Sequence, residues 1–307
     1  VAAVDAELAA ATELMLRPDL NDVEGTRRLM GSSTMQPSSA EVEFGGSVAI
    51  ESRSVRLDGH DIGLRLYRPS ASVGSALLFL HGGAFVAGDT LSENARCLRY
   101  AGDAGCLVVS VDYRLAPEHA YPRGLRDCRA VLRWMIERAA ELGIDPARIA
   151  VAGVSAGGAL AAGVSMLALD EGERVPRAQL LLFPVLDDRL HSRSMREFDA
   201  TPVWDNRNAA VMWRLYLAGA PADEYAAPAR RESLLGLPET YLLAAELDPL
   251  RDEALRFGAR LLEDRVPVDL RLWAGTYHVF DQLVPDAAVS QASLEDQVRF
   301  LRRTLRP

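Results

Sequence analysis

Ser155 stands in Gly153-Val154-Ser155-Ala156-Gly157, between a short apolar run and a stretch of Ala, Gly, Val and Leu that lasts to Leu169. A strand that delivers Gly-x-Ser-x-Gly into a small-residue helix is a nucleophile elbow, whose tight turn lifts a serine hydroxyl clear of a sheet. Gly153 and Gly157 fit where the two backbones close in, because only hydrogen leaves room there. The free amides and positive end of the following helix favour negative charge beside Ser155. Ser155 is therefore the candidate nucleophile. The run 149–169 also lacks any charged residue and has the length of a membrane span. Its Gly, Ala and Ser content, β-branched first half and polar flanks favour a buried strand, turn and helix instead.

An activated serine needs a base, a group to orient that base, and N–H donors for the oxyanion. In elbow sites the acid and then the histidine follow the serine along the chain. Of the five histidines, His60 lies in a hairpin turn, His81 and His119 precede the serine, and His191 leaves no strand from which an acid could come. His278, just after the last apolar strand, fits the order. The acid belongs beyond the preceding strand, where Glu246, Asp248, Asp252 and Glu253 all offer carboxylates. Asp248 is favoured because Asp248-Pro249-Leu250 opens the loop with a fixed turn; Glu246 is the second choice. Ionised, Asp248 would hold the imidazole in one tautomer and stabilise the imidazolium. His81-Gly82-Gly83-Ala84 follows a strand upstream of the elbow. The N–H groups of Gly83, Ala84 and Ala156 are the expected oxyanion donors.

These residues must be carried by alternating strands and helices. The stretch Val48–Leu57, the turn Asp58-Gly59 and the alternation Ile62, Leu64, Leu66 predict an antiparallel hairpin that opens the sheet. Continuous apolar runs at 76–80, 107–111, 149–154, 180–183 and 241–245 suit strands buried on both faces of a parallel sheet. A further strand is expected at 268–273, with helices at 127–142, 251–263 and 287–305. The economical reading is a mostly parallel α/β sheet flanked by helices. Ahead of it, 1–16 and 22–30 read as two short amphipathic helices, and a Pro/Ser-rich stretch runs to Ala40. No core strand appears between Pro184 and Leu235, where Trp204, Trp213 and Tyr216 sit in helical sequence. Long excursions of this kind are more often functional than idle.

The 307-residue chain is 49% apolar and 25% charged with net charge −9, and its arginines are scattered. That balance argues against nucleic acid or anionic membrane as partners. Cys97, Cys106 and Cys128 lack metal-ligand spacing and read as small buried hydrophobes in a reducing compartment. The first residues carry Asp5, Glu7 and Glu13 with no basic region, so no targeting segment is read there. A first residue other than Met points to trimming or processing, and a cytoplasmic location is expected.

The sequence resembles the bacterial hormone-sensitive-lipase family of α/β-hydrolase carboxylesterases. The resemblance rests on His81-Gly82-Gly83, Asp112-Tyr113-Arg114-Leu115-Ala116-Pro117-Glu118, the Ser155 elbow with Gly158, Asp248-Pro249-Leu250-Arg251-Asp252-Glu253, and His278, in that order. It covers the chain from about Leu77 onward. It implies hydrolysis of short- to medium-chain carboxylic esters through an acyl-enzyme, with no metal or organic cofactor. The implied domain plan is N-terminal cap helices at 1–45, a core at 46–184 and 226–307, and a second cap segment at 185–225. Positions 113–118 would brace the oxyanion loop. Phe85, Trp204, Trp213 and Leu16 are candidate substrate contacts, and a homodimer is possible.

Three positions depart from the family pattern. Val154 stands where Asp or Thr is frequent, Ala84 replaces a frequent third glycine, and Val279 follows the histidine where Gly is usual. If the Ala84 position needs φ > 0, its methyl costs about 1 kcal/mol. Val279 is expected to narrow the base of the pocket. Amide hydrolysis on the same triad stays open. Non-catalytic ligand-binding members of the fold are recognised by loss of the histidine, which this chain keeps.

Overall fold

The structure is a computed structural model that describes residues 3–12, 17–32, 44, 46–71 and 74–306. Two short helices, α1 (Ala6–Thr12) and α2 (Val23–Ser32), precede the hairpin β1 (Val48–Leu57) and β2 (His60–Pro69). Then come β3 (Ala76–Leu80), α3 (Asn94–Ala104), β4 (Leu107–Asp112), α4 (Arg123–Glu137), α5 (Ala139–Leu142), β5 (Ile149–Val154), α6 (Ala156–Asp170) and β6 (Ala178–Leu182). After α7 (Arg193–Glu197) and α8 (Asn206–Leu217) the chain returns to β7 (Glu239–Ala245), α9 (Arg251–Glu263), β8 (Val268–Trp273), α10 (Phe280–Leu283) and α11 (Ala288–Thr304).

The eight strands form one sheet in the order β1-β2-β4-β3-β5-β6-β7-β8. The pairs β1/β2 and β2/β4 are antiparallel, and every later pair is parallel. All residues of β3, β5 and β6 are buried, as continuous apolar runs between two helical layers require. Alternation sorts their side chains: Leu78 and Leu80 face the layer of α4, α6 and α9, while Leu77 and Phe79 face α3 and α11. This arrangement is the α/β-hydrolase fold with its mixed, mostly parallel sheet.

The antiparallel hairpin, the parallel runs and the helices after β7 and β8 stand where the sequence places them. The helix read at 127–142 starts earlier, at Arg123, and divides at Arg138. α3 is an element that periodicity did not indicate. Its buried face carries Arg96 beside Cys97 and Tyr100, so no uninterrupted apolar stripe marks it. The first helix is described as far as Thr12, and Leu16 lies outside the described residues. Among the described residues no helix is long and apolar enough to cross a membrane.

The residues around 155 are delivered by the carboxyl ends of parallel strands, the edge of an open α/β sheet where ligands bind. β3 ends just before His81, β5 just before Ser155, β7 three residues before Asp248, and β8 five residues before His278.

Candidate active site

Ser155 has φ 56° and ψ −114°, a backbone state that L-residues rarely adopt, between β5 and α6. Close packing holds it there. A Cβ on Gly157 would lie 2.1 Å from the Leu80 carbonyl oxygen, and one on Gly153 would lie 2.0 Å from that of Gly157. The Ser155 N–H donates to Leu182 O at 2.8 Å, and its carbonyl accepts from Gly158 and Val185 at 3.0 and 3.1 Å. The strain is thus over-determined by the surrounding backbone, as at many functional turns.

His278 Nε2 lies 3.0 Å from Ser155 Oγ, and its Nδ1 lies 2.6 Å from Asp248 Oδ2. Because the carboxylate only accepts, Nδ1 carries the proton and the bare Nε2 accepts from the serine hydroxyl. Asp248 is fixed by its other oxygen, which accepts the Leu250 N–H at 2.9 Å, and is 1% exposed. Phe183 meets the imidazole edge-on at 5.6 Å, and Trp204 lies 6.0 Å from it. The second-choice acid, Glu246, is occupied elsewhere: its Oε2 accepts the Gly275 N–H at 2.7 Å. Asp252 and Glu253 accept from backbone N–H groups of the segment after β6.

On the opposite side, the N–H groups of Gly83, Ala84 and Ala156 donate to no acceptor among the described residues. The loop carrying the first two is pinned by Tyr113, whose hydroxyl donates to His81 O at 2.8 Å while its ring stacks on the His81 ring at 4.2 Å. Burial pushes His81 down to about 4, so the ring is neutral at pH 7. Its Nδ1–H donates to Gly82 O at 2.7 Å, and Nε2 has no partner among the described residues. Ala84 and Phe85 have φ 55° and 61°, so the third position of this loop does need the left-handed region and its methyl carries that cost. Val279 has φ 52°, which is why glycine suits this position and why a β-branched residue is strained there.

A cleft of about 100 Å³ opens over Ser155. Its wall includes Gly82, Gly83, Ala84, Val154, His278 and Val279 from the core, Val203 and Trp204 from the segment after β6, and Pro18, Leu20, Thr26 and Met30 from the N-terminal segment. Ser92, Glu93 and Gln282 complete it. The two non-core segments are tied together: Asn208 accepts the Leu20 N–H at 3.1 Å and donates to Pro18 O at 3.0 Å. Arg27 of α2 donates to the Val86 and Ala116 carbonyls at 2.8 and 3.1 Å and pairs with Glu118 at 2.7 Å.

Of the expected substrate contacts, Trp204 lines the cleft. Phe85 and Trp213 do not; Phe85 stacks on Tyr216 at 3.7 Å, with Trp213 6.1 Å away. Glu93 and Gln282 were not legible as site residues. Ser92-Glu93 before α3 has the look of a helix start, and no local signal turns that carboxylate toward Ser155. Among the described residues no group of three His, Cys, Asp or Glu side chains is placed to hold a metal ion.

Strand order, elbow and triad geometry define a serine hydrolase of α/β-hydrolase fold, and a family described as alpha/beta hydrolase fold matches residues 77–282. Esterase LipI of Mycobacterium tuberculosis (strain ATCC 25618 / H37Rv) is 40% identical over 68% of each chain. An ethyl acetate hydrolase of Pseudomonas putida is 36% identical over 73% of this chain and 72% of its own. The solved structure of a bacterial heroin esterase superposes with a TM-score of 0.93 at 39% identity, covering 99% of this chain and 98% of that one. The chain belongs to the hormone-sensitive-lipase-like carboxylesterases of this fold, and it is a carboxylic ester hydrolase of the serine class.

Proposed function

We propose that Ser155, His278 and Asp248 perform this hydrolysis through an acyl-enzyme on short- to medium-chain esters. The observation that carries the reading is the continuous line from Asp248 Oδ2 through His278 to Ser155 Oγ, facing three unpaired N–H groups. Ser155 Oγ attacks the acyl carbon while His278 Nε2 takes its proton. Asp248 stabilises the imidazolium and keeps its orientation. The N–H groups of Gly83, Ala84 and Ala156 receive the oxyanion; one such donor is worth on the order of 100- to 1000-fold in rate. Collapse of the tetrahedral intermediate breaks the ester C–O bond, and His278 returns the proton to the departing alcohol. A water molecule, deprotonated by the same imidazole, then releases the acid and restores the serine.

The size of the cleft, with Trp204 and Val279 in its wall, supports acyl groups of modest length. The name of the Pseudomonas putida relative, ethyl acetate hydrolase, agrees. The N-terminal segment and 185–225 form the cap over this cleft, a division supported by the contacts of Asn208 and Arg27. Phe85 and Trp213 support the oxyanion loop from behind. A homodimer is supported by Leu272, 48% exposed on the edge strand β8, and a reducing, cytoplasmic setting by three buried free cysteines.

Hydrolysis of p-nitrophenyl esters of increasing acyl length, with Ser155→Ala as the blank, tests the reading. Acetate and butyrate should exceed octanoate and palmitate, and the variant should lose activity. A palmitate maximum, or full activity in Ser155→Ala, would contradict it.

A further inference from the structure

Glu93 is 3% exposed and forms part of the cleft wall that holds Ser155 and His278. A buried carboxylate is costly unless paired. Its Oε2 accepts from Arg96 Nε at 3.0 Å, but Oε1 accepts from no group among the described residues. Arg96 donates to Oε2 alone: its Nη1 engages Asp281 at 3.2 Å and Gln297 at 2.9 Å, and its Nη2 engages Asp281 at 3.0 Å. Glu93 and Asp281 share the single buried guanidinium of Arg96, while Asp248 pairs with His278. Apart from His278, Glu93 is the sole ionisable side chain in the cleft wall among the described residues.

We propose that Glu93 is a specificity-determining residue, whose free oxygen Oε1 recognises esters that carry a protonated amine close to the scissile bond. An ammonium N–H donor would fill the vacant acceptor and supply the missing positive charge. A neutral alkyl group of the same shape leaves Oε1 unpaired when the substrate displaces water from the cleft, which is where selectivity against an analogue lacking the donor arises. Burial, with Asp281 nearby, raises the Glu93 carboxyl above the ordinary carboxylate range against the pull of Arg96 and His278, and a bound cation would draw it back toward the ionised form.

The inference rests on the esterase reading above and deepens it. It is tested with 2-(dimethylamino)ethyl acetate, protonated at pH 7, and its uncharged isostere 3-methylbutyl acetate. A hydrogen bond to a charged group predicts a kcat/KM ratio of about 10 or more in favour of the amine ester. In Glu93→Gln that ratio should fall toward 1, and Glu93→Asp, which keeps the charge, should retain a preference. The wild-type ratio needs no variant, so misfolding of Glu93→Gln cannot hide the result. Equal turnover of both esters by the wild type, or a preference that survives in Glu93→Gln, would overturn the inference while leaving the esterase reading standing. Turnover of neither ester would overturn both.

Discussion

On one side of Ser155 the loop 81–88 is held by neutral contacts: a Tyr113 hydroxyl on a carbonyl, an aromatic stack, and a histidine kept uncharged by burial. On the other side the segment after His278 is held by charge, with Arg96 clamping Asp281 and Glu93, and Gln297 and Ser293 donating to Asp281 at 2.9 and 3.2 Å. The first wall presents fixed N–H dipoles, and a buried cation there would compete with them for the oxyanion. The second wall carries His278, whose charge changes in every cycle of the proposed reaction. An ionic cage anchored on α3 and α11 holds α10 in place. The comparison teaches that two walls of one cleft are preorganised by opposite means, each suited to the charge it meets.

The largest break in this comparison comes from Arg96→Met, which leaves two buried carboxyl groups without their cation. Loss of one partner of a buried ion pair costs about 3–5 kcal/mol. Urea unfolding should register that loss, and a change under 1 kcal/mol would show the charged wall to be unimportant.

The neutral wall is sensitive to acid. His81 is pulled from its ordinary value of 6.5 to about 4 by desolvation. Below 6.5 the unfolded chain binds a proton that the folded chain refuses until about 4. The stability due to the neutral ring is complete above that window and falls by about 1.4 kcal/mol per pH unit within it, about 3 kcal/mol in all. The His81 imidazole resonances should titrate near 4; titration near 6.5 would contradict the assignment.

Tyr113→Phe keeps the stack and removes one buried hydrogen bond, worth about 1 kcal/mol. Its stability should fall by that amount and its kcat more than its KM, because the loop carries two of the proposed oxyanion donors. A KM-only effect would place Tyr113 in substrate binding. The smallest net change is expected for Val279→Gly. Relief of the left-handed strain, about 1–2 kcal/mol, offsets the lost packing of a buried valine, about 1.5–3 kcal/mol. The thermal midpoint should barely move while bulkier acyl groups gain relative kcat/KM; a loss of several kcal/mol would mean that the strain is not felt.

The chemistry-bearing loops were legible because each rests on a local rule. The elbow needs small residues at fixed offsets, and the acid and histidine follow strands in a set order, so spacing alone singled out Ser155, Asp248 and His278, three side chains that the structure brings into hydrogen-bond contact. The cleft wall was not legible for the opposite reason. Glu93 reaches the site because α3 is anchored by Asp281 and Gln297, almost two hundred residues away in sequence, and no periodicity reports such a pairing. Phe85 and Trp213 look like pocket aromatics by type, but only the fold shows Tyr216 stacked against Phe85 and turning it inward. Contacts made by backbone geometry could be read in the chain; contacts made by long-range charge or aromatic packing could not.

If one hydroxyl, activated by one imidazole, is the nucleophile, covalent trapping will find it. A fluorophosphonate should add once per chain, with the adduct mapped by mass spectrometry to the peptide containing Ser155. Labelling should vanish in Ser155→Ala and slow by several orders of magnitude in His278→Ala. An adduct on any other residue, or undiminished labelling without His278, would contradict the account.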